Sequence, residues 1–223
     1  MKAFFRVVVQ ISVYILPWRV RRRILMAAFG FKLSPSSFIG LSVILAKDVR
    51  LERGAYIGHL NFVNSIDGLR MGDFSKIGRS NWITGASSGA NSFRHDSREA
   101  FLQLKDHARV TGMHHIDCTG GVSIGAFSTV AGVRSQILTH EIDIVNNKQR
   151  FGSVEIGDYC FVGTGCIILM DAVLPDRSVL AGGAVLAAKY KEKYQLYGGV
   201  PAKSIKPLPH DAAYFHRKHG NVR

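Results

Sequence analysis

The sequence predicts an all-β repeat fold in which short strands alternate with turns along most of the chain. Near the carboxy terminus an apolar residue recurs every six positions without a gap, at Ile156, Val162, Ile168, Leu174, Leu180 and Leu186. A second apolar series runs one residue ahead of the first, from Phe161 to Val185. A period of six fits neither the helical period of about 3.6 nor the simple alternation of a longer strand, so a short strand plus a turn is the repeating unit.

The same period organises the chain further upstream. Apolar residues follow it, with small shifts of register, at Ile39, Leu45, Leu51, Ile57, Val63, Leu69, Met71, Ile77, Ile83, Leu104, Val110, Ile116, Ile124 and Val130. We therefore assign residues 36–206 to the repeat domain and residues 207–223 to a short carboxy-terminal extension. The segments 85–103 and 141–154 interrupt the period and are predicted to be loops.

The amino-acid composition excludes a disordered chain, and the large positive net charge indicates the kind of partner. The 223 residues are 47% hydrophobic and 20% charged, as is typical of a folded globular protein. The net charge of +13 favours anionic partners such as phosphates, acidic lipid or nucleic acid. The first 35 residues contain seven Lys and Arg and no acidic residue, and so carry about half of this surplus.

The amino-terminal segment, residues 1–35, is predicted to be an amphipathic, basic helix. Lys2, Arg6 and Gln10 are spaced by four and share one helix face. The apolar run 3–16 has 14 residues, fewer than the about 20 that span a bilayer. Two interpretations remain open. Residues 1–33 lie on a membrane surface, with Trp18 and the arginines at the headgroups, or the segment caps the folded body.

The cysteine content indicates a reducing compartment. Cys118, Cys160 and Cys166 form an odd set in a chain without an export signal, so a disulfide framework is not expected. We interpret the three as small core residues. The expected location is the cytoplasm, with peripheral contact to the inner face of the cell membrane as one interpretation of the amino-terminal segment.

The repeats and the Gly199-Val200-Pro201-Ala202-Lys203 segment behind the last unit resemble the hexapeptide-repeat acyltransferase family, in particular its sugar and polysaccharide O-acetyltransferases. The resemblance implies a single-stranded left-handed parallel β-helix of triangular section with three hexads per coil. This handedness is an exception to the rule for parallel crossovers. The resemblance also implies acetyl-coenzyme A as co-substrate, no metal, and a homotrimer whose active sites lie between neighbours.

The stretch 131–140 looks like the catalytic segment of that family and implies His140 as the general base. A hydroxyl that attacks a thioester must lose its proton as the new bond forms. A histidine imidazole, with an ordinary pKa of about 6.5, is suited to accept it near neutral pH. The donor that stabilises the oxyanion is left open by the sequence.

Further polar residues are candidates for substrate binding. His114, His115 and Asp117 form a cluster one coil before His140, where they orient an imidazole or hold the acceptor, although structural hydrogen bonding explains them equally well. Ser135 is a candidate substrate contact. It is not expected to be a nucleophile, because it lacks the Gly-x-Ser-x-Gly setting of an exposed serine elbow.

The coenzyme site follows from the same resemblance. It implies that the pantetheine arm of acetyl-coenzyme A contacts the backbone near Gly163, Ala181 and Gly182. Its phosphates then meet basic side chains beyond the last coil, for which Lys189 and Lys203 are the candidates. Lysine acts on phosphate as a point charge.

The predicted function is transfer of acetyl to a saccharide hydroxyl in bacterial surface polysaccharide synthesis. In one interpretation the acceptor is a lipid-linked sugar. A non-catalytic scaffold of the same fold is an alternative. A metalloenzyme like the γ-class carbonic anhydrases is disfavoured, because the positions five away from His140 are Ser135 and Val145 rather than histidine. Nucleic acid is not an expected partner, since the chain has no recognition-helix or aromatic–basic pattern.

Overall fold

The chain folds into a left-handed parallel β-helix preceded by two helices, as seen in a computed structural model that describes residues 2–90 and 97–222. The predicted fold class is confirmed. Residues 91–96 of the predicted loop 85–103 lie outside the described residues, as do residues 1 and 223. Helix α1 is Lys2–Ser12, a 3-10 turn follows at Val13–Ile15, and helix α2 is Trp18–Phe29.

Most strands contain only two to four residues, as the hexad period predicts. In chain order they are β1 Lys32–Leu33, β2 Phe38–Ile39, β3 Val43–Ile44, β4 Asp48–Leu51, β5 Tyr56–Ile57, β6 Phe62–Val63, β7 Gly68–Met71, β8 Lys76–Ile77, β9 Trp82–Thr84, β10 Phe101–Leu104, β11 Arg109–Val110, β12 His115–Asp117, β13 Val122–Ile124, β14 Thr129–Val130, β15 Gln136–Ile137, β16 His140–Asp143, β17 Lys148–Phe151, β18 Val154–Ile156, β19 Phe161–Val162, β20 Ile167–Ile168, β21 Val173–Leu174, β22 Val179–Leu180, β23 Val185–Leu186, β24 Gln195–Gly199 and β25 Ala202–Pro207.

Successive strands rotate through three faces, and each face is a parallel sheet along the axis. The first face stacks β1, β4, β7, β10, β13, β18 and β21, the second begins with β2, β5 and β8, and the third runs from β3 through β6 and β9 to β23. The second face ends in an antiparallel hairpin of β24 and β25. In the two-residue strands the second residue points inward, so Ile39, Ile57 and Ile77 stack in register and are fully buried.

Three corners join the faces, and each has its own side-chain column. The aromatic corner, between the first and second faces, stacks the rings of Phe74, His107, Phe127 and Tyr159 with centroids 4.6 to 5.3 Å apart. All four residues have φ between 56° and 59°, a strained conformation that the stacking of their rings offsets. The ladder corner joins the second and third faces. The histidine corner joins the third face to the first and contains Asp117 and His140.

The amino-terminal helices pack across the first coil through their polar side chains. Gln10 exchanges two hydrogen bonds of 2.9 Å with the backbone of Ile44. Arg21 donates to the carbonyls of Ile39 and Gly40. The apolar side of α1 faces away from the body, and its exposed side chains are Phe4, Phe5, Val8 and Ile11. The cap interpretation therefore describes the polar face of the segment and leaves its apolar face unpartnered.

Two boundaries differ from the expectation. The segment 141–154 was expected to be a loop, but β16 and β17 pair there as an antiparallel hairpin that projects from the histidine corner. Strand β1 already pairs with β4, so the first coil begins inside the segment 1–35.

Within residues 2–90 and 97–222, no helix combines the length and the apolar character that crossing a bilayer requires.

The carboxy-terminal extension folds back over the second face as a strap, defined here as residues 212–222. The Tyr214 hydroxyl donates to the Cys160 carbonyl at 3.0 Å, and the Arg217 guanidinium donates to the Phe127 carbonyl. Cys118, Cys160 and Cys166 are buried and free, which confirms their interpretation as core residues.

Candidate active site

The histidine corner pairs a half-exposed imidazole with a buried carboxylate. The Nδ1 atom of His140 lies 2.8 Å from Oδ2 of Asp117, and the His140 side chain is 44% exposed against 6% for Asp117. An ionised carboxylate only accepts hydrogen bonds, so Nδ1 carries the proton in this contact. The lone pair of the neutral ring is then on Nε2, where it is available to accept a proton.

Asp117 is kept ionised by the groups around it. Oδ2 accepts hydrogen bonds from the Thr139 backbone N–H at 2.8 Å and hydroxyl at 2.7 Å, and Oδ1 accepts one from the Thr119 hydroxyl at 2.7 Å. Burial acts to raise the pKa of Asp117, but the hydrogen bonds from Thr139, Thr119 and His140 outweigh it and hold the pKa below its ordinary value. The carboxylate therefore fixes both the tautomer and the orientation of His140.

His140 and Asp117 line an open cleft of about 280 Å³. Its other walls are Thr84, Gly85, Ala86 and Thr119 at the same corner and Gln149 on β17. The sequence did not single out Gln149, because it lies in the segment that was expected to be a loop. The hairpin brings Gln149 to the same cleft as His140, so Gln149 is a candidate acceptor contact.

The structure places His114 and Ser135 in the ladder corner, away from this cleft. Each polar side chain there accepts a backbone N–H from the next coil: Asn81 Oδ1 from His114 at 3.0 Å, and His114 Nδ1 from Ser135 at 3.1 Å. Burial lowers the pKa of His114 to about 4, so its ring is neutral, and Nε2–H donates to the Thr111 hydroxyl. With both side chains buried and bonded in this way, a structural role accounts for them, and we do not carry their substrate-binding roles forward.

His115 points the other way from His114. It is exposed at the start of β12, on the outer surface of the third face, in register with Trp82 and Gln136. Its side chain does not line the cleft of His140. Across the part of the chain that the structure describes, no three His, Cys, Asp or Glu side chains converge in a way that holds a metal ion.

Most of the candidate coenzyme residues gather at the carboxy-terminal end of the ladder corner. A Cβ on Gly163 would lie 2.6 Å from the backbone nitrogen of Gly182, so these coils stack backbone on backbone. Lys203 pairs across the hairpin with Gly198, which packs against Ala181.

Lys189 is not brought to this end of the ladder corner. It lies beside the first face, in a bridge with Val173, and its Nζ is 3.6 Å from the Asp171 carboxylate. A whole face therefore separates Lys189 from the other coenzyme candidates. Closer to the amino-terminal end of the ladder corner, an open groove of about 360 Å³ is lined by Gly78, Gly112 and Gly132. Sequence reasoning did not assign these glycines to a site.

Comparison with known proteins supports the same fold. The sequence matches no family model. Among solved structures, a variant of AntD, an N-acyltransferase from Bacillus cereus in complex with dTDP-4-amino-4,6-dideoxyglucose and coenzyme A, superposes with a TM-score of 0.57 at 11% identity, over 88% of this chain and 92% of that one. A hexapeptide-repeat acetyltransferase from Vibrio cholerae complexed with acetyl-coenzyme A gives 0.48 at 13% identity, over 93% and 88%. The polysialic-acid-specific acetyltransferase NeuO gives 0.41 at 15% identity, over 82% and 79%. The resemblance to hexapeptide-repeat acyltransferases is confirmed at the level of the fold by the AntD superposition.

Proposed function

We propose that the protein is an O-acetyltransferase that moves acetyl from acetyl-coenzyme A to a saccharide hydroxyl in the synthesis of a bacterial surface polysaccharide. The observation that carries the proposal is the hydrogen bond between His140 Nδ1 and Asp117 at the mouth of an open cleft. This arrangement presents a basic nitrogen to an incoming hydroxyl. The acyltransferase neighbours share the fold, and the histidine pair supplies the chemistry.

The reaction needs one proton carrier. Nε2 of His140 accepts the proton of the acceptor hydroxyl while the oxygen forms a bond to the thioester carbonyl carbon. The ring becomes an imidazolium, which the Asp117 carboxylate stabilises through Nδ1–H. Collapse of the tetrahedral intermediate breaks the carbon–sulfur bond, and the proton on Nε2 passes to the coenzyme A thiolate. The products are the acetyl ester and free coenzyme A.

A homotrimer accounts for the separation of the two half-sites. Gly163, Gly182 and Lys203 lie at the ladder corner or beside it, whereas His140 lies at the histidine corner, across the third face. In our proposal the ladder corner of one subunit meets the histidine corner of its neighbour, which brings coenzyme and base together. Light scattering on the eluted protein is expected to give three times the mass of 24.6 kDa, and a monomer with full activity would contradict this arrangement.

The test of catalysis is His140→Ala with acetyl-coenzyme A and candidate lipid-linked or nucleotide-linked sugars. We expect acetyl transfer to fall by at least about a hundredfold, since general base catalysis contributes about 10² to 10⁴. His210→Ala, which removes an exposed ring stacked on Tyr194, is the matched control. Mass spectrometry detects the gain of one acetyl group on the acceptor. Near-normal turnover in His140→Ala would instead favour the non-catalytic scaffold.

We further propose that the amino-terminal helices rest on an anionic membrane surface, at the cytoplasmic side, so that the enzyme meets a lipid-linked acceptor. Phe4, Phe5 and Ile15 are 75%, 63% and 89% exposed, on the side of the segment that faces away from the β-helix. The exposed Arg19 and Arg23 of α2 lie near them in sequence, and no acidic residue occurs before Asp48. An apolar face with basic residues beside it matches an anionic bilayer in both chemistry and charge.

Sedimentation with phosphatidylglycerol vesicles tests this contact in the full chain. The triple substitution Phe4→Ser, Phe5→Ser, Ile15→Ser is expected to abolish co-sedimentation. The double substitution Ile144→Ser, Val145→Ser removes equally exposed apolar side chains from the tip of the β16–β17 hairpin and is expected to leave it unchanged. Equal binding by the triple variant and the wild type would refute the proposal.

A further inference from the structure

A cavity of about 710 Å³ lies between the strap and the part of the second face that contains β8 and β11. We call it the strap cavity. Lys76 and Arg109 project into it from adjacent strands β8 and β11, where they are register partners, and Arg217, Lys218 and His219 enter from the strap. The edges of Phe74 and His107 form the wall at the aromatic corner, and no acidic side chain is among the lining residues.

The cations around this cavity are not neutralised within the part of the chain that is described. None of Lys76, Arg109, Arg217 and Lys218 forms a salt bridge with a carboxylate there. Arg109 and Arg217 also stand close to each other. Burial and the nearby Arg217 charge both lower the pKa of Arg109. The Arg217 guanidinium is partly compensated by the carbonyls of Tyr214 and Phe127 and by the Tyr214 ring. Like charges that are gathered in a half-buried space still repel each other, and a bound anion would relieve that repulsion.

The nearest carboxylates at this corner are already engaged. Asp73 pairs with the Arg53 guanidinium at 2.6 Å, and Asp106 Oδ1 accepts the Asp73 backbone N–H at 2.8 Å. The charges of both carboxylates act to raise the pKa of His107, against the larger lowering effect of burial, but neither residue lines the cavity. The lining itself contains cations and no carboxylate, and such a space concentrates anions.

The strap cavity is separate from the proposed active site. The second face joins the aromatic corner to the ladder corner, so it lies opposite the histidine corner that holds His140 and Asp117. The coenzyme candidates Lys189 and Lys203 are near the last coil, whereas Lys76 and Arg109 belong to coils in the first half of the stack. A ligand in the strap cavity is therefore distinct from the reacting groups.

We propose that the strap cavity is a binding site for a diphosphate group. Lys76 and Arg109 are register partners on adjacent strands about 4.8 Å apart, and the cationic heads of both line the strap cavity. The Arg109 guanidinium also donates to the side-chain oxygen of Asn221 on the strap. Two linked phosphates can engage both heads at once, while Lys218 and His219 close over them from the strap. Charge-assisted hydrogen bonds to phosphate are the strong contacts in such a site. Binding holds the strap to the second face and so couples the tail to the β-helix.

Calorimetric titration of the full-length protein with inorganic pyrophosphate tests the proposal. We expect saturable binding with one site per chain. The double substitution Lys76→Gln, Arg109→Gln is expected to weaken it by at least about a hundredfold, since each contact to a charged group contributes about a factor of ten or more. The charge-matched control Lys148→Gln, Lys206→Gln removes two exposed cations outside both sites and is expected to bind pyrophosphate like the wild type.

Each other outcome overturns the proposal. Loss of binding in a Lys189→Gln, Lys203→Gln variant rather than in the Lys76, Arg109 variant would assign the diphosphate to the coenzyme site. The absence of saturable binding in the wild type would show that the cavity takes no diphosphate. A second measurement guards against unfolding: pyrophosphate should raise the Tm of the wild type by at least about 2 °C and leave that of the folded double variant unchanged. His140→Ala should bind pyrophosphate normally, so failure of the acetyltransferase proposal would not affect this result.

Discussion

Replacing Asp117 by Asn separates the electrostatic role of this side chain from its structural one. The amide is nearly the same size as the carboxylate and offers one oxygen. That oxygen is expected to occupy the Oδ2 position, where three donors converge from Thr139 and His140. The amide nitrogen then faces the Thr119 hydroxyl, which can rotate to accept, while the long contact from the Thr119 backbone N–H at 3.3 Å is lost. His140 keeps its tautomer and position but loses its charged partner.

The expected effect on rate follows from the change in that one contact. A hydrogen bond to a charged group contributes about 1.5 to 3 kcal/mol, against about 0.5 to 1.5 kcal/mol between neutral groups. The charged form is needed most when the ring is an imidazolium, in the transition state. A loss of about 1 to 1.5 kcal/mol there lowers kcat about tenfold. KM for acetyl-coenzyme A should change little, because Asp117 does not touch the ladder corner.

Steady-state release of coenzyme A from acetyl-coenzyme A measures kcat, and urea unfolding measures stability in parallel. Asp176→Asn is the matched control. Asp176 also accepts a backbone N–H at a corner, from Asp158 at 2.9 Å, but lies away from the cleft. Its substitution should lower stability and leave kcat within about twofold. The reasoning would be refuted if Asp117→Asn kept wild-type kcat while losing stability, because Asp117 would then serve the fold alone.

Three further outcomes are expected. Gln10→Ala leaves the buried N–H and C=O of Ile44 without their partner and should lower the free energy of unfolding in urea by about 2 kcal/mol. Gly78→Ala would bring a Cβ within 2.0 Å of the Thr111 carbonyl and should lower the Tm, by calorimetry, more than any exposed Gly→Ala change. The pKa values of Asp117 and Asp176 are lower in the folded than in the unfolded protein, so the stabilisation by both carboxylates is present at neutral pH and is lost as the pH falls below their ordinary pKa of 3.8. The difference in the free energy of unfolding in urea between the wild type and Asp117→Asn should therefore be constant from about pH 5 to about pH 7 and decrease below pH 3.8.

The β-helix could be predicted because its period is set locally. Each hexad is one inward residue, one corner and one outward strand position, whatever the neighbouring coil contains. The six apolar residues that recur at this period from Ile156 to Leu186 are accordingly buried, and Val162, Ile168 and Leu180 have no exposed area. His140 was predicted as the general base through resemblance, and its contact with Asp117 depends on a stacking of coils that the spacing did not define.

Other features depend on which backbone groups lack partners, and a sequence pattern does not record that. The sequence predicted that α1 is amphipathic. It did not predict that Arg6 and Gln10 face inward and form hydrogen bonds with the backbone of the first coil. His114 was a candidate because it belongs to the polar cluster with His115 and Asp117. In the structure it takes the place that Asn81 takes one coil earlier, and the ring of His114 accepts a backbone N–H from the next coil as the Asn81 side chain does. Gln149 was hidden because the hairpin that carries it breaks the period.

The helices over the first coil also cover an open edge of the β-helix. A parallel sheet that stops abruptly leaves a row of free N–H and C=O groups, and such an edge can template the addition of another strand. A solenoid has three such edges at each end, so bare ends would invite head-to-tail polymerisation into fibres. Gln10, Arg6 and Arg21 occupy that edge at one end, and the antiparallel β24–β25 hairpin turns the second face aside at the other. Removing residues 1–30 should therefore yield aggregating chains rather than a trimmed soluble enzyme.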